Sequence, residues 1–345
     1  MRAVVVDEFK PFDQLEIRDW PPPVPGPRDV KMKTQAIGVS FAESLLVSGQ
    51  YQRRPPLPFV AGIEVSGIVM ECGSEATRFK PGDRVCGLID WGAMAEESVA
   101  MEVSLHGVPD SMSHAEATSV PGSYATTAAA FTWSNLLNVQ PGDWVLVHGA
   151  AGGVGLAAVE IGKILGATVI GTASTAEKTA LAKAHGADHV INYRDENFRD
   201  RVLEITDGRG VDKVYDPVGG ETFTQSLRCM APEGRIMPVG FAGGDVPQIP
   251  ANILLVKNLT VCGFNLGHYF GWSPKDLRYE YEDLLRGLMG QIFDWHIAGQ
   301  VKPAISDVLP FSQYREALDI VLTRKAQGRV VLALDEEAKR LGIGD

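Results

Sequence analysis

Only four cysteines occur in 345 residues, Cys72, Cys86, Cys229 and Cys262, and no two form a Cys-x-x-Cys pair. That excludes a disulfide framework and predicts reduced thiols. The seven histidines (106, 114, 148, 185, 189, 268 and 296) are scattered and none has ligand spacing, whereas zinc needs three or four convergent Cys, His or acid ligands. Basic charge is in deficit: 32 Lys plus Arg against 43 Asp plus Glu leave a formal net charge of −11, which argues against a nucleic-acid partner. No run approaches the roughly 20 apolar residues of a membrane span. The opening Met1-Arg-Ala-Val-Val-Val-Asp7-Glu8 is too short an apolar run for a signal peptide. The expectation is a cytoplasmic protein with a small-molecule substrate, no metal and no membrane partner.

What is present has ordinary globular composition, 45% hydrophobic and 22% charged, in a chain long enough for two domains. Its organising stretch is Trp144-Val-Leu-Val-His-Gly149-Ala-Ala-Gly152-Gly153-Val154-Gly155-Leu156. The apolar run 144–147 after Pro141-Gly142-Asp143 predicts a buried strand. Val154, Ala158, Ile161 and Leu165 share one face of a following helix. Small residues between them let the backbone approach a ligand, and the helix N-terminus offers unpaired N–H groups to a pyrophosphate. That is a dinucleotide-binding arrangement, with Ala150 at the usual first glycine and Gly152 and Gly155 at the second and third. Ala151, Gly152, Gly153 and Val154 are the expected cofactor contacts on this turn.

Residues 1 to about 122 read as β-rich, with short apolar runs at 3–6, 30–36, 65–70 and 84–87 set between turn signals. The proline-rich stretch 21–27 reads as a stiff connector, with polyproline recognition as the alternative. From 123 to 269 strands alternate with helices. Strands are expected at 144–147, 168–172, 189–191, 211–216, 235–239 and 260–264, and helices at 175–185, 196–205 and 221–230. This pattern predicts a parallel, doubly wound sheet with ligand at the carboxyl ends of the strands. Residues 270–345, with helices at 281–298 and 312–324 and a strand at 329–334, are expected to pack back on the N-terminal domain.

The second strand of the doubly wound part ends Gly171-Thr172-Ala173-Ser174, without the acid that would hydrogen-bond an NAD ribose. Ser174-Thr-Ala-Glu177 reads as a capping box. Lys178 and the hydroxyl of Tyr193 favour a 2′-phosphate instead, so NADPH is the expected cofactor.

Several segments resemble the zinc-free quinone oxidoreductases of the medium-chain dehydrogenase/reductase superfamily: His148-Gly-Ala-Ala-Gly-Gly-Val-Gly155, Pro58-Phe-Val-Ala-Gly62-Ile-Glu64-Val-Ser-Gly67, Phe79-Lys-Pro-Gly-Asp-Arg-Val85, Trp91-Gly-Ala-Met-Ala-Glu96-Glu97 and Asn192-Tyr193. The resemblance implies a GroES-like β domain from 1–122 and 270–345, a Rossmann domain from 123–269, and a homodimer paired through an edge strand near 260–264. It puts Ser174, Lys178 and Tyr193 at the family's 2′-phosphate positions. It also implies cofactor contacts at Thr126, Thr172, Gly240, Phe241, Phe264, Asn265 and Arg329. Zinc members carry histidine in a Gly-His-Glu motif where this chain has Ile63.

Without zinc to stabilise an alkoxide, the easier chemistry is hydride donation to a conjugated acceptor, a quinone or an α,β-unsaturated ketone. Placed donors then stabilise the oxygen where negative charge grows, and a proton follows. In the segment Ser40-Phe-Ala-Glu43-Ser-Leu45, Ser40 replaces the family's Asn, Glu43 retains its acid and Leu45 stands where many members have Tyr. Tyr51 matches a second tyrosine near the family's substrate cleft. The candidate catalytic residues are Tyr51, Ser40 and Thr126. Two alternatives remain open: reduction of an enoyl thioester of coenzyme A, for which Arg53-Arg54 is the nearest basic pair, and a non-catalytic NADPH-binding role.

Overall fold

The computed structural model describes residues 1–343. The chain clusters into two compact units, one of Met1–Gly122, Leu266–Ile297 and the chain from Pro303 onward, the other of Ser123–Asn265 and Ala298–Lys302. The return to the first unit thus comes at 266 rather than 270, and residues 298–302 fall in the second unit. There the Lys302 N–H points at the Glu160 carboxylate, 3.3 and 3.2 Å from its two oxygens.

The second unit holds six parallel strands in the order His189–Asn192, Thr168–Ala173, Trp144–Val147, Val211–Asp216, Met230–Pro238 and Thr260–Val261. Three strands run outward from Trp144–Val147 on one side and three return on the other. The sheet is therefore doubly wound, and its order reverses between Trp144–Val147 and Val211–Asp216, where such sheets bind ligands. Leu146, Ile170, Val214 and Ile236 are fully buried, covered by Val202, Phe223 and Leu227 from the flanking helices. Burial on both faces is why these strands read as unbroken apolar runs.

Three details differ from expectation. The last strand stops at Val261: Cys262 adds one bond to the Ile236 carbonyl at 2.8 Å, and beyond Gly263 the ring of Phe264 meets Trp133 edge-on at 5.6 Å. The cap of the helix Ala176–Ala184 is Thr175, not Ser174, and its hydroxyl accepts from the Lys178 N–H at 3.3 Å. The helix Ala251–Lys257 was not anticipated. Its four consecutive apolar residues, 253–256, carry no helical period.

In the first unit the long strand Asp29–Val39 pairs antiparallel with Glu64–Cys72, Glu97–Met101 and the returning Arg329–Ala333. A smaller sheet joins Glu16–Asp19, Arg2–Val6 and Phe59–Val60. The proline-rich stretch connects Glu16–Asp19 to Asp29–Val39. Among the described residues no helix is long and apolar enough to cross a membrane.

Candidate active site

In the second unit, the turn after Trp144–Val147 is shaped by residues without bulk. Gly149 has φ +57°, a left-handed conformation that glycine adopts without steric cost. The Ala150 N–H donates to the Thr172 carbonyl and the Gly152 N–H to the Gly149 carbonyl, both at 2.9 Å. The helix Gly153–Ile164 starts from an extended Gly152, and no side chain caps its first turn. Its leading N–H groups, at Gly153 and Val154 among others, are left to a ligand or solvent. A Cβ on Gly155 would collide with the Gly149 carbonyl and lie 2.8 Å from the Ala150 Cα, so glycine is what lets the turn fold onto the helix. The bare backbone, the uncapped helix start and the positive dipole end fit a pyrophosphate.

Beneath this turn, His148 is buried with Nδ1 3.0 Å from Thr172 Oγ1 and Nε2 2.8 Å from Ser226 Oγ. Burial pushes its pKa down, against the opposing pull of Asp216. Thr172 is itself buried, so its hydroxyl braces the turn from below. At the neighbouring strand ends Ala173 pairs with Asn192, and the Tyr193 N–H reaches the Ala173 carbonyl at 3.1 Å. This register brings Ser174 and Tyr193 side by side, with Tyr193 half-exposed and Lys178 on the first turn of the next helix. Partial burial lowers the Lys178 pKa, and the nearby charge of Arg194 lowers it further. Arg194 is the cation that the sequence reading missed, although its position directly after Tyr193 was the available signal.

The turn carrying Gly240 and Phe241 is tied to the segment after the fourth strand. The Ala242 N–H donates to the Pro217 carbonyl at 3.1 Å and the Gly243 N–H to the Val218 carbonyl at 2.8 Å. Thr126 lies half-buried on the helix Ala125–Thr132. Its neighbours belong to the core: Thr127 bonds the Tyr215 hydroxyl at 2.9 Å, and the Tyr124 hydroxyl donates to Glu160 at 2.7 Å. Phe264 packs on Trp133 and leads into Asn265, the last residue before the chain leaves this unit.

In the first unit, Ser40 precedes the helix Phe41–Val47 and makes no side-chain capping bond. Glu43 on that helix is fully buried. Its Oε1 accepts from the Gly62 N–H at 2.8 Å, while Oε2 has no partner. Burial raises its pKa to about 7, against the opposing pull of that hydrogen bond. The acid standing among Phe41, Ala42, Leu45, Leu46 and Val47 was its sequence signal. Tyr51 lies edge-on to Trp272, and burial raises its pKa, followed by the charge of Glu43. Arg329 belongs to this unit's core, where it is buried and paired with Glu64, and desolvation lowers its pKa to about 10. Ile63 is buried. Among the described residues, no group of three or more His, Cys, Asp or Glu is placed to hold a metal.

The chain thus combines a doubly wound unit, whose uncapped glycine turn fits a pyrophosphate, with a β-rich unit carrying a buried acid and a tyrosine, the two parts of a nucleotide-dependent oxidoreductase. Residues 26–141 match the alcohol dehydrogenase GroES-like domain, and 153–286 match the zinc-binding dehydrogenase domain. The chain is 41% identical over 310 residues to a quinone oxidoreductase-like protein 2 homolog of Nematostella vectensis, covering 89% of this chain and 82% of that one. A mycobacterial structure complexed with NADPH superposes with a TM-score of 0.87 at 34% identity, over 96% of this chain and all of that one. The quinone oxidoreductase of Escherichia coli, also complexed with NADPH, gives 0.86 at 29% identity, over 96% and 100%. This chain belongs to the quinone oxidoreductase family of the medium-chain dehydrogenase/reductase superfamily.

Proposed function

We propose that this chain reduces quinones or α,β-unsaturated carbonyl compounds with NADPH and without zinc. The observation that carries the reading is the pairing of a bare-backbone pyrophosphate turn with the corner of Ser174, Lys178, Tyr193 and Arg194, a site suited to a phosphorylated dinucleotide. Two structural neighbours were determined with NADPH, which supports it. Bound NADPH supplies hydride from its nicotinamide ring. The chain's own residues do the rest. Amides of 151–154 bind the pyrophosphate, and Thr126, Gly240, Phe241, Phe264 and Asn265 border the nicotinamide half. Ser40 and Tyr51 donate to the acceptor oxygen as charge grows there, and Tyr51 passes on a proton. The pairing of Arg329 with Glu64 leaves Arg329 a supporting role. The buried Ile63 offers no metal ligand, which favours an acceptor already electrophilic enough to take hydride unaided.

The coenzyme A thioester alternative has less support. Arg53 is paired with Asp90, and Arg54 donates from Nε to the Gly49 carbonyl at 2.8 Å and lies over Phe9. Neither presents a groove for the phosphates of coenzyme A. A purely binding role is disfavoured by the buried Glu43, whose pKa burial raises and whose charge acts on Tyr51. We infer a cytoplasmic homodimer paired along the outer edge of Thr260–Val261, beside Leu255 and Val256, which are 80% and 79% exposed.

The deciding experiment follows nicotinamide absorbance with quinones, enones and enoyl thioesters, using NADPH and NADH in parallel. Turnover of quinones or enones with NADPH is expected. NADPH binding with no turnover of any acceptor would overturn the reductase reading.

A further inference from the structure

Loop 49–57 and segment 266–281 are distant in sequence yet meet at one carboxylate in the first unit. Asp90, just beyond the strand Arg84–Leu88, accepts on Oδ1 from Arg53 Nη1, from Trp272 Nε1 at 3.1 Å and from Arg278 Nη2 at 3.2 Å. Its Oδ2 takes a further contact from Arg278 Nη2 at 3.2 Å. Arg278 is held from behind. Its side chain is 6% exposed, its Nε lies 2.9 Å from Asp276, and a Cβ on Gly271 would lie 2.5 Å from that Nε. Glycine at 271 therefore lets the guanidinium sit against the backbone next to Trp272.

The aromatic consequences follow directly. The Arg53 guanidinium lies over Trp91 at 5.1 Å and over Trp272 at 5.9 Å. Trp272 in turn meets Tyr51 edge to face, with centroids 6.3 Å apart and planes at 83°. Charge-assisted hydrogen bonds are the strong ones, and here one carboxylate gathers two cations and an indole N–H. Removing its charge would leave two guanidinium groups beside each other with Asp276 alone to balance them. The orientation of Tyr51 and Trp272 therefore depends on Asp90.

We propose that Asp90 is a positioning residue for the acceptor: it fixes Trp272, edge to face with Tyr51, as the aromatic wall against which a planar, electron-poor ring stacks. The proposal rests on the quinone and enone reading above and names the feature that selects a flat ring. An electron-rich indole face attracts an electron-poor ring beyond its buried area. The wall is held by side chains brought together from three segments, with both neighbouring guanidinium groups tied to Asp90.

The test compares wild type with Asp90→Asn, Asp90→Glu and Trp272→Phe, using the purified full chain and 1,4-naphthoquinone as the probe. Two readouts are taken: acceptor KM against kcat, and quenching by the quinone of the emission that Trp272→Phe removes. Asp90→Asn is expected to raise the acceptor KM about tenfold, equivalent to about 1.4 kcal/mol, to change kcat much less and to leave NADPH affinity intact. It should also weaken the quench, and Asp90→Glu should restore part of both. Trp272→Phe keeps an aromatic ring without the indole N–H and should raise KM even if Asp90→Asn folds poorly. Unchanged KM and quench in Asp90→Asn and Trp272→Phe would overturn the wall while leaving the reductase reading intact. Saturable quenching in wild type, weakened in Asp90→Asn, with no turnover of any acceptor, would overturn the reductase reading and keep the wall.

Discussion

The methyl of Ala150 lies 2.9 Å from where a Cβ on Gly171 would sit. Ala150 occupies the place of the first glycine in the dinucleotide turn, and the space its side chain needs comes from a glycine on the adjacent strand Thr168–Ala173. The left-handed backbone of the turn lies one residue before Ala150, at Gly149. The two residues are thus linked through packing: alanine at 150 is tolerated because 171 has no side chain.

Gly171→Ala should therefore overpack the turn and cost about 1–3 kcal/mol, read as a lower midpoint in urea unfolding. Ala150→Gly in the same chain should recover most of that loss, since contacting residues couple instead of adding. Simple additivity of the two changes would show that Gly171 is needed for another reason. NADPH affinity should fall in the single variant and return in the double one, because the displaced turn carries the amides proposed to bind the pyrophosphate.

The charge at the end of the second strand gives a separate test. On the proposed NADPH reading, Lys178→Ala removes one cation facing the 2′-phosphate, while Arg194 remains nearby. Hydrogen bonds to charged groups contribute about 1.5–3 kcal/mol, so the NADPH dissociation constant should rise roughly 10–100-fold. NADH, lacking that phosphate, should bind with little change. Fluorescence titration of both nucleotides separates the outcomes, and equal losses for NADPH and NADH would place Lys178 elsewhere than at the phosphate.

The doubly wound sheet was legible because its strands are buried on both faces and so appear as short apolar runs, and because the 148–155 turn needs residues without bulk. The edges were less so. Ser174 and Thr175 are both competent caps, and which one serves depends on where the preceding strand lets go of its neighbour, a property of pairing with Asn192 rather than of local sequence. Side-chain direction was hidden too: Thr172 looks like a ligand hydroxyl until the strand's alternation turns it toward His148. Least legible were the long-range networks. Arg329 meets Glu64 across 265 residues, and Asp90 meets Arg278 across 188. No spacing rule reports such pairs.

The exposed helix Ala251–Lys257 gives a prediction about assembly. Leu255 and Val256 project apolar surface next to Thr260–Val261, the end strand of the sheet, and an unpaired strand edge is a template for a second copy. Replacing both Leu255 and Val256 with Asp should convert a dimer to monomer in light scattering, with the monomer still folded because neither side chain is buried in this chain. A double variant that keeps the wild-type mass would move the interface away from this edge.

Glu43 sets a pH dependence whose sign follows from its burial. Its folded pKa of about 7 stands above the ordinary 4.5. Between those values the unfolded chain has released the proton and the folded chain still holds it. Stability due to this group is therefore complete at low pH, falls as pH rises from about 4.5 to 7, and levels off above, where both states are ionised. The total loss is on the order of 3 kcal/mol. Glu43→Gln keeps the side chain's size and has no proton to lose, so its stability relative to wild type should grow across that window and then stay constant. Urea unfolding of both proteins at a series of pH values measures the difference. A difference independent of pH between 5 and 8 would mean that Glu43 is already ionised in the folded protein.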